Sequence, residues 1–425
     1  MAGVSRIRSV GDAEFLARRR IPRGLVQQIE GGSGLGSTLA DNLGAFEEVG
    51  FSSRVGVSFG ARGLATTVLG NDVAIPVLIA PMAHLRVYHR DGELGIARAA
   101  DAMGTIACIS TFTGYAIEEV TAASSAPIFF QLYYVGGREN VEAMIDRARR
   151  AGVKALMVTL DTAGWYQRER KTRSRRRAPT SLSNRRATLR FAPQALARPR
   201  WLAGFVRDGM RVQTPMVLHP DGRPYELPEA RFSMLNAAPV WEDLAWIGER
   251  FGGPVIVKGI LSPDDARRAV AAGAAAILVS NHGGNALDGL PAALRALPPI
   301  VDAVGSQIEV LMDSGIRRGT DVVKALALGA RAVLIGRACL WAHAAAGGRG
   351  VTQMLQLLHH NIDQTLALLG CESIDQLGRS HLRIPASWAT ELSTTAPPQI
   401  IARRASQRTR LTEDRGSSPT TTQLP

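Results

Sequence analysis

Four segments of the chain share one pattern, in which a glycine is followed by a continuous run of apolar residues. Each glycine comes at the end of a segment predicted to be helical, and a left-handed glycine commonly ends a helix. Each apolar run has the length of a β-strand, and apolarity without alternation indicates a strand covered on both faces, as in a parallel sheet. The segments are Met103–Ser110 (MGTIACIS), Ala151–Thr159 (AGVKALMVT), Ala272–Ser280 (AGAAAILVS) and Leu328–Gly336 (LGARAVLIG).

Four further apolar runs complete a series of eight predicted strands. The strands lie at about 75–80, 106–110, 127–132, 155–160, 254–258, 276–281, 308–313 and 332–336. Helices are predicted between most of them, at 91–103, 139–151, 262–272 and 320–328, and Ser262-Pro-Asp-Asp265 is typical of a helix start. Eight strands with helical crossovers favour an α/β fold of the closed (β/α)8 type, the TIM barrel, over an open sheet. No GxGxxG motif follows the first strand, which disfavours a nicotinamide-binding fold.

One connection is far longer than the others. About 90 residues, 161–253, separate the fourth and fifth strands, whereas loops between strands and helices normally have only a few residues. We predict that this long, basic insertion, chiefly residues 169–240, is a partly disordered flap over the barrel mouth. Residues 1–393 are predicted to form the barrel domain. Residues 394–425, rich in Ser, Thr, Pro and Arg, are predicted to be a disordered tail.

The formal net charge of +13 is concentrated in two segments, Arg168 to Arg211 and the tail from Arg403 onward. We interpret both as solvated basic segments. Contact with an anionic membrane surface or a partner protein is the alternative interpretation, and nucleic acid is a weaker one.

The composition also bears on the cellular compartment. No apolar run approaches the length of a membrane span, and residues 1–20 carry too many charges for a signal peptide. The three cysteines, Cys108, Cys339 and Cys371, have neither a metal-ligand spacing nor a disulfide framework. These features predict a soluble, cytoplasmic protein without a metal site.

Polar residues follow all eight predicted strands, at the end of the barrel where such folds carry their active sites. His282 stands between the sixth strand and Gly283-Gly284, so its imidazole is predicted to face the barrel mouth. Asp161, after the fourth strand, is the candidate to hold this ring and to stabilise an imidazolium. Arg168 is a candidate anchor for a carboxylate or carbonyl oxygen, and simple membership in the basic segment is the alternative explanation for it.

The last two strand ends predict a phosphate site. Asp313 to Gly319 (DSGIRRG) follows the seventh strand, and Gly336-Arg337 follows the eighth. Glycines allow a ligand to approach the backbone closely, arginines supply charge, and barrels commonly bind phosphate between these two loops. Lys258 would place a positive charge against an electron-rich ring and stabilise a reduced, anionic flavin. Hydrogen bonds to the edges of that ring suit Ser110, Gln131 and Thr159.

These motifs resemble those of the FMN-dependent L-2-hydroxy acid oxidase and dehydrogenase family, which includes glycolate oxidase, lactate oxidase and mandelate dehydrogenase. The resemblance covers about residues 12–385, and its most specific blocks are SNHGG (280–284) and GIRRGTDVVKALALGA (315–330). It implies bound FMN, a half-reaction that reduces it, and a second substrate, either oxygen or an electron carrier, that reoxidises it. It also implies a homo-oligomer, by analogy a tetramer.

The resemblance assigns a role to each site residue. His282 would be the base that removes a proton as a hydride equivalent reaches the flavin, and Asp161 would be its partner. Tyr133 would bind the substrate oxygen and Arg168 the substrate carboxylate. The residues expected around FMN are Ala80, Ala83, Ser110, Gln131, Thr159, Lys258, Ser280, Asp313, Gly315, Arg317, Gly336 and Arg337.

Two departures from the family pattern bear on the substrate. Asn285 replaces the arginine of the usual SNHGGRQLD, and Gln28 stands where an early tyrosine is expected. Both missing groups normally bind the substrate carboxylate, and losing a charge-assisted partner costs roughly 1.5–3 kcal/mol. Small hydroxy acids are therefore expected to bind weakly. Phe112 is a third residue expected to influence specificity, and Ser314, in place of a glycine of the usual DGG, is a milder change.

Three functions remain open on the sequence alone. The first is oxidation of the α-carbon of an L-2-hydroxy acid whose carboxylate is held in an altered way. The second is oxidation or oxidative deamination of a peptide-derived amine, because the motif SNHGGN-x-LDG-x-PA (280–292) is similar to that of the mycofactocin-maturation branch of the family. The third is binding without catalysis through the basic flap, against which the joint presence of a base, its partner and an anion anchor argues.

Overall fold

Eight short parallel strands close into a barrel. Each strand pairs with the next in chain order, and the last pairs with the first. The predicted (β/α)8 fold and its eight strands are therefore confirmed. The strands are β1 Val77–Ile79, β2 Ala107–Ser110, β3 Ile128–Leu132, β4 Ala155–Thr159, β5 Val255–Ile260, β6 Ala276–Val279, β7 Glu309–Met312 and β8 Ala332–Ile335.

This computed structural model describes residues 7–57, 60, 62–162, 164, 185–219, 221–236 and 238–390. The chain divides into two units, Met1–Ile384 and Pro385–Pro425. The first contains the barrel, and the described part of the second contains the short helix Ser387–Thr390. The predicted tail, 394–425, lies outside the described residues, so the predicted boundary at 393 stays a prediction.

The strands are buried on both faces, which explains why their sequences are apolar without alternation. Leu78, Phe129, Met157, Ile256 and Leu311 belong to one buried cluster to which all eight strands contribute. The four glycines predicted to end helices are left-handed, and their φ values are 58° at Gly104, 78° at Gly152, 80° at Gly273 and 108° at Gly329.

Helices surround the barrel and follow the strands in turn. The predicted helix start at Ser262 is confirmed for the helix Pro263–Ala271, because the Ser262 hydroxyl accepts a hydrogen bond from the Asp265 amide and Pro263 occupies the first turn. The last helical segment is broken at Ala346 and Gly347, whose backbone angles are not helical. The helices are α1 Gly92–Ala102, α2 Ile117–Ala122, α3 Gly137–Arg150, α4 Asp243–Phe251, α5 Pro263–Ala271, α6 Ala293–Val304, α7 Gly319–Ala327 and α8 Arg337–Leu369, and the short helix Leu85–Tyr88 precedes α1.

Three helices precede the barrel: Val10–Arg20, Arg23–Glu30 and Ser37–Glu48. Gly50–Phe51 pairs with Leu382–Arg383, and Thr66–Val68 forms a hairpin with Asn71–Val73. The helix Arg23–Glu30 matters for the site, because it carries Gln28 to the barrel mouth.

The insertion between β4 and α4 has secondary structure of its own. Its described part contains helices Arg185–Leu196, Pro199–Arg207 and Leu227–Asn236 and a hairpin of Thr214–Leu218 with Pro224–Tyr225. Phe191, Ala195 and Trp201 are buried against the N-terminal helices and α8. Residues 165–184, which include the predicted anion anchor Arg168, lie outside the described residues.

Among the described residues, no helix is long and apolar enough to cross a membrane. The three cysteines are buried and unpaired. Within the same part of the chain, no group of three His, Cys, Asp or Glu side chains is arranged to hold a metal ion.

Candidate active site

A pocket of about 250 Å³ lies at the carboxyl ends of the barrel strands. Seven strand ends or the loops that follow them contribute to its wall, as the sequence predicted. Of the twelve residues expected around a cofactor, ten line the pocket: Ala80, Ala83, Ser110, Gln131, Lys258, Asp313, Gly315, Arg317, Gly336 and Arg337. The two others, Thr159 and Ser280, are fully buried and hydrogen-bond the wall from behind.

His282, Asp161 and Tyr133 form one hydrogen-bonded row. Nδ1 of His282 lies 2.9 Å from Oδ1 of Asp161, and Nε2 lies 3.1 Å from Oη of Tyr133. An ionised carboxylate only accepts hydrogen bonds, so the imidazole proton belongs on Nδ1 and the lone pair on Nε2. The nitrogen of His282 that can accept a proton, Nε2, therefore lies at the pocket that His282 and Tyr133 line.

Lys258 completes this group from the intervening strand β5. Its Nζ lies 3.2 Å from Oδ2 of Asp161, and both side chains are largely buried. Burial alone would raise the pKa of the Asp161 carboxyl, but the electrostatic interactions and hydrogen bonds with His282 and Lys258 hold that pKa well below its usual range. Asp161 is therefore ionised at neutral pH and able to stabilise a protonated imidazole.

Gly259 makes this close approach feasible. Its φ is 102°, and a Cβ at this position would lie 2.6 Å from Cβ of Asp161. Only glycine adopts this conformation and leaves that space. The Lys258-Gly259 pair thus places the ammonium group and the carboxylate side by side.

The backbone of His282 is itself in the left-handed region, with φ of 59°. The Ser280 hydroxyl accepts a hydrogen bond from the His282 amide at 3.0 Å, and the Ser314 hydroxyl accepts one from the Gly283 amide at 3.0 Å. Ser314 in turn donates to Oδ1 of Asp313 at 2.6 Å. A residue in a sparsely populated conformation costs about 1–3 kcal/mol, and such residues concentrate at functional sites.

A chain of hydrogen bonds fixes one edge of the pocket. Ser110 Oγ donates to Oε1 of Gln131 at 2.9 Å, and Nε2 of Gln131 donates to Thr159 Oγ1 at 2.8 Å. All three side chains are buried. Thr159 therefore orients the Gln131 amide. Of the three hydrogen-bonded side chains, Ser110 and Gln131 face the cavity.

The opposite end of the pocket fits an anionic group such as a phosphate. Arg317 lines the cavity, and its guanidinium forms no ion pair with any carboxylate in the described residues. Burial lowers the pKa of Arg317, and its guanidinium donates a hydrogen bond to the carbonyl oxygen of Ile316 at 2.8 Å; this side chain is therefore a buried cation that an anionic ligand would stabilise. Gly315 and Gly336 line the wall beside it without side chains, so a ligand can reach the backbone there.

Arg337 also cross-links backbone segments, a role that the sequence did not predict. Its guanidinium donates to the carbonyl oxygens of Ile29, Gly283 and Gly31 at 3.0, 2.7 and 2.7 Å. It thus joins the helix Arg23–Glu30 and the loop that carries His282 to the end of β8, while also lining the cavity.

The three residues expected to set specificity, Gln28, Phe112 and Asn285, all line the pocket. The Phe112 and Tyr133 rings are 5.0 Å apart. Asn285 Nδ2 donates to the carbonyl oxygen of His282 at 3.0 Å, so this amide supports the loop that carries His282. Gln28 Oε1 accepts a hydrogen bond from Tyr88 Oη at 3.2 Å.

Tyr88 is a lining residue that the sequence analysis missed. It lies at the end of the short helix after β1, in the charged segment RVYHR, and an aromatic residue among charges was the signal available for it. Arg168 cannot be placed, since it lies outside the described residues.

The closed barrel, the His282–Asp161 pair and the phosphate-type end of the pocket are together characteristic of a flavin-dependent oxidoreductase. The chain belongs to the FMN-dependent dehydrogenase family, whose model matches residues 17–384. It is 42% identical over 388 residues to the pre-mycofactocin synthase of Mycobacterium tuberculosis, covering 90% of this chain and 96% of that protein. It is 35% identical over 383 residues to the glycolate oxidase of Spinacia oleracea, covering 90% of this chain and 96% of that protein.

Solved structures agree with this assignment. The crystal structure of the monotopic membrane protein (S)-mandelate dehydrogenase has a TM-score of 0.82 and 34% sequence identity, and it covers 89% of this chain and 100% of that chain. The expected cofactor, FMN, and the expected class of enzyme, an oxidoreductase of the α-hydroxy acid oxidase and dehydrogenase type, are thereby confirmed.

Proposed function

We propose that this enzyme oxidises a carbon atom that carries a hydroxyl or amino group next to a carbonyl group, with His282 as the base. The observation that carries the proposal is the row Asp161–His282–Tyr133, which leaves the lone pair of Nε2 facing the pocket. A carboxylate that fixes the tautomer and stabilises imidazolium is what proton abstraction requires.

FMN, when bound, accepts a hydride equivalent. Arg317 and the glycines beside it would hold its phosphate, Ser110 and Gln131 would bond its ring edge, and Lys258 would offset negative charge on the ring. In the oxidation of a hydroxyl group, the C–H and O–H bonds of the substrate are replaced by a C=O double bond. One proton goes to Nε2 of His282, while the other hydrogen leaves with two electrons. Asp161 stabilises the resulting imidazolium, and Tyr133 donates a hydrogen bond to the substrate oxygen.

A 2-hydroxy acid is the first candidate substrate, because the enzyme retains the base, its partner and Tyr133 of that family's chemistry. A less anionic and larger substrate is the second candidate. Gln28 and Asn285 line the pocket without charge at the two positions where the family pattern has groups that bind a carboxylate. The 42% identity to a protein named pre-mycofactocin synthase supports a peptide-derived amine as this second substrate, which would be oxidised to an imine and hydrolysed by water.

The test is anaerobic rapid mixing of the FMN-loaded enzyme with each substrate, followed by the bleaching of the flavin absorbance. The panel contains lactate, glycolate and mandelate, the uncharged amide of each, and cyclic amino-lactams. Fast bleaching by the acids at micromolar concentrations supports the first candidate and rejects the second. Bleaching by amines or amides alone supports the second. Absence of bleaching by every compound that has a C–H bond next to a carbonyl would overturn the proposal.

We further propose a cytoplasmic homo-oligomer, in line with the sequence expectation of a tetramer, that passes electrons to oxygen or to a carrier. The match to a monotopic membrane protein supports the competing proposal of contact with an anionic membrane through the basic insertion. Light scattering of the purified protein measures the mass, oxygen consumption during turnover identifies the acceptor, and fractionation of cells decides between the two locations.

A further inference from the structure

A second and larger cavity, of about 730 Å³, lies beside the active-site pocket. Its walls come from the N-terminal helix Val10–Arg20, the segment that follows β1, the insertion helix Pro199–Arg207, and the break in α8. Tyr88 lines both this cavity and the active-site pocket. The volume lies in the range typical of small-molecule sites.

The charge of this cavity is strongly one-sided. Eight arginines line it, and Asp91 is the one carboxylate in the lining. Asp91 is already engaged by the Gly348 amide at 3.1 Å and by His89. Arg86 forms a bidentate ion pair with Asp208 at 2.5 and 2.7 Å. Within the described ranges, the other arginines make no ion pair, and they include Arg20, Arg90, Arg198, Arg200, Arg207 and Arg349.

Arg20 gives a second, independent indication of a ligand. Its Nη1 donates to the carbonyl oxygen of Ala345 at 3.1 Å, but its Nε is buried and has no hydrogen-bond partner among the described residues. Burial lowers the pKa of Arg20, and the nearby charges of Arg200 and Arg90 lower it further, while Asp91 opposes them. A buried guanidinium N–H group without an acceptor costs free energy that an anion in the cavity would recover.

We propose that this arginine-lined cavity is a binding site for a ligand with two or more phosphate-type charges, separate from the catalytic pocket. Guanidinium groups match phosphate oxygens in a bidentate geometry, and several unpaired arginines around one space favour a multiply charged ligand over a single carboxylate. The site does not depend on the proposed substrate, because its walls share only Tyr88 with the active-site pocket.

Two sources could supply such a ligand: a soluble phosphate compound or the headgroup of an anionic lipid. The insertion that forms one wall also exposes Leu196, Val206 and Met210. Apolar side chains beside a basic cavity suit a lipid surface, whereas a cavity of this volume also suits a soluble molecule, and the binding experiment separates the two.

The experiment uses the full chain loaded with FMN, so that the phosphate end of the catalytic pocket is occupied. Pyrophosphate is titrated at low ionic strength by calorimetry, with Trp201 in the cavity wall as a fluorescence reporter. In parallel, flotation measures binding to vesicles of phosphatidylcholine with and without phosphatidylglycerol. The test variants are Arg200→Gln and Arg349→Gln, which remove exposed side chains at the rim. The matched control is Arg150→Gln, an exposed arginine on α3 outside the cavity lining.

Saturable binding of one pyrophosphate per chain, weakened about tenfold by each rim variant and unchanged in the control, would support a site for a soluble ligand. Flotation with the anionic vesicles alone, lost in the same variants, would assign the site to a lipid headgroup. Equal weakening of binding in all three variants would show that binding depends only on the net charge of the protein. Failure to bind either pyrophosphate or anionic vesicles would show that the cavity has no affinity for phosphate groups. Either of these last two results overturns the proposal. Turnover of FMN-loaded variants, expected to be normal, shows that they are folded.

Discussion

The Nδ1 atom of His282 lies 2.9 Å from Oδ1 of Asp161, although the two residues follow strands β6 and β4, which are not neighbours in the barrel. The contact spans the intervening strand β5, whose Lys258 bonds the other oxygen of the same carboxylate. One ionised carboxylate therefore orients the imidazole of His282 and neutralises the ammonium group of Lys258. Substitutions on either side of this contact have distinct expected effects.

His282→Ala is expected to retain FMN and to lose most of its rate of flavin reduction. Removal of a general base typically costs about two to four orders of magnitude, while the groups that would hold FMN are untouched. Flavin absorbance of the purified variant and anaerobic rapid mixing measure the two quantities. A near-normal rate in this variant would show that His282 is not the base.

Asp161→Asn is expected to lower the same rate by about 100-fold or more and to alter the dependence of stability on pH. The folded-state pKa of Asp161 is depressed, so its stabilising effect is present above its ordinary pKa of about 4 and is lost as the pH falls further. The difference in unfolding free energy between wild type and variant should therefore be constant near neutrality and shrink in acid. Asp264→Asn, at an exposed ion pair on α5, is the control, and an equal effect there would refute a special role for Asp161.

Restoring the two missing groups that bind a substrate carboxylate should shift specificity toward 2-hydroxy acids. Asn285→Arg combined with Gln28→Tyr is expected to raise kcat/KM for lactate or mandelate by about a hundredfold or more, because each of the two restored charge-assisted hydrogen bonds is worth about 1.5–3 kcal/mol, or about tenfold or more. Asn285→Gln is the matched control, since it lengthens the side chain without adding charge. Steady-state kinetics decide the point, and a gain in the control as large as in the double variant would contradict the explanation.

The buried histidine of α8 should make the protein sensitive to acid. His343 is fully buried, and this burial lowers its pKa from 6.5 to about 3. Below about pH 6.5 this residue therefore binds a proton in the unfolded chain but not in the folded chain. The free energy of unfolding falls by up to about 1.4 kcal/mol for each further unit by which the pH decreases.

His343→Gln should remove that slope, because a side-chain amide takes up no proton in either state. The amide can still donate a hydrogen bond to the Leu85 carbonyl oxygen, which His343 contacts at 3.2 Å. His359→Gln, at an exposed position of the same helix, should leave the slope unchanged. Denaturant unfolding at a series of pH values measures all three proteins. If the unfolding free energies of wild type and His343→Gln fell in parallel as the pH decreased, a group other than His343 would cause the acid sensitivity.

The sequence predicted the barrel well because its strands are buried on both faces and therefore carry a pattern that needs no tertiary information. His282, Asp161 and Lys258 were found for a related reason, since strand ends converge in any closed barrel. Contacts between distant elements gave no such pattern. Tyr88 contacts Gln28 only because the helix Arg23–Glu30 packs against the segment that follows β1. Arg337 likewise donates hydrogen bonds to three carbonyl oxygens on two other segments.

The charge interpretation needs a correction for the same reason. The stretch Arg168 to Arg211 was interpreted as solvated, but within its described part Arg198 is half-buried and donates to the carbonyl oxygen of Ile21 at 3.3 Å. Arg198, Arg200 and Arg207 also line the large cavity. A local excess of charge cannot show which arginines the fold gathers around a common space.

The pairing of the last barrel strand, β8, with the first, β1, affects the order of events in folding and cofactor binding. Ala80 and Gly336, which follow these two strands, both line the active-site pocket, yet they come from opposite ends of the barrel sequence. Contacts between such distant segments form slowly, because a long loop must be closed first. Cofactor capture should therefore be among the last events of refolding, so that the regain of flavin binding reports closure of the ring and lags behind the regain of helical structure.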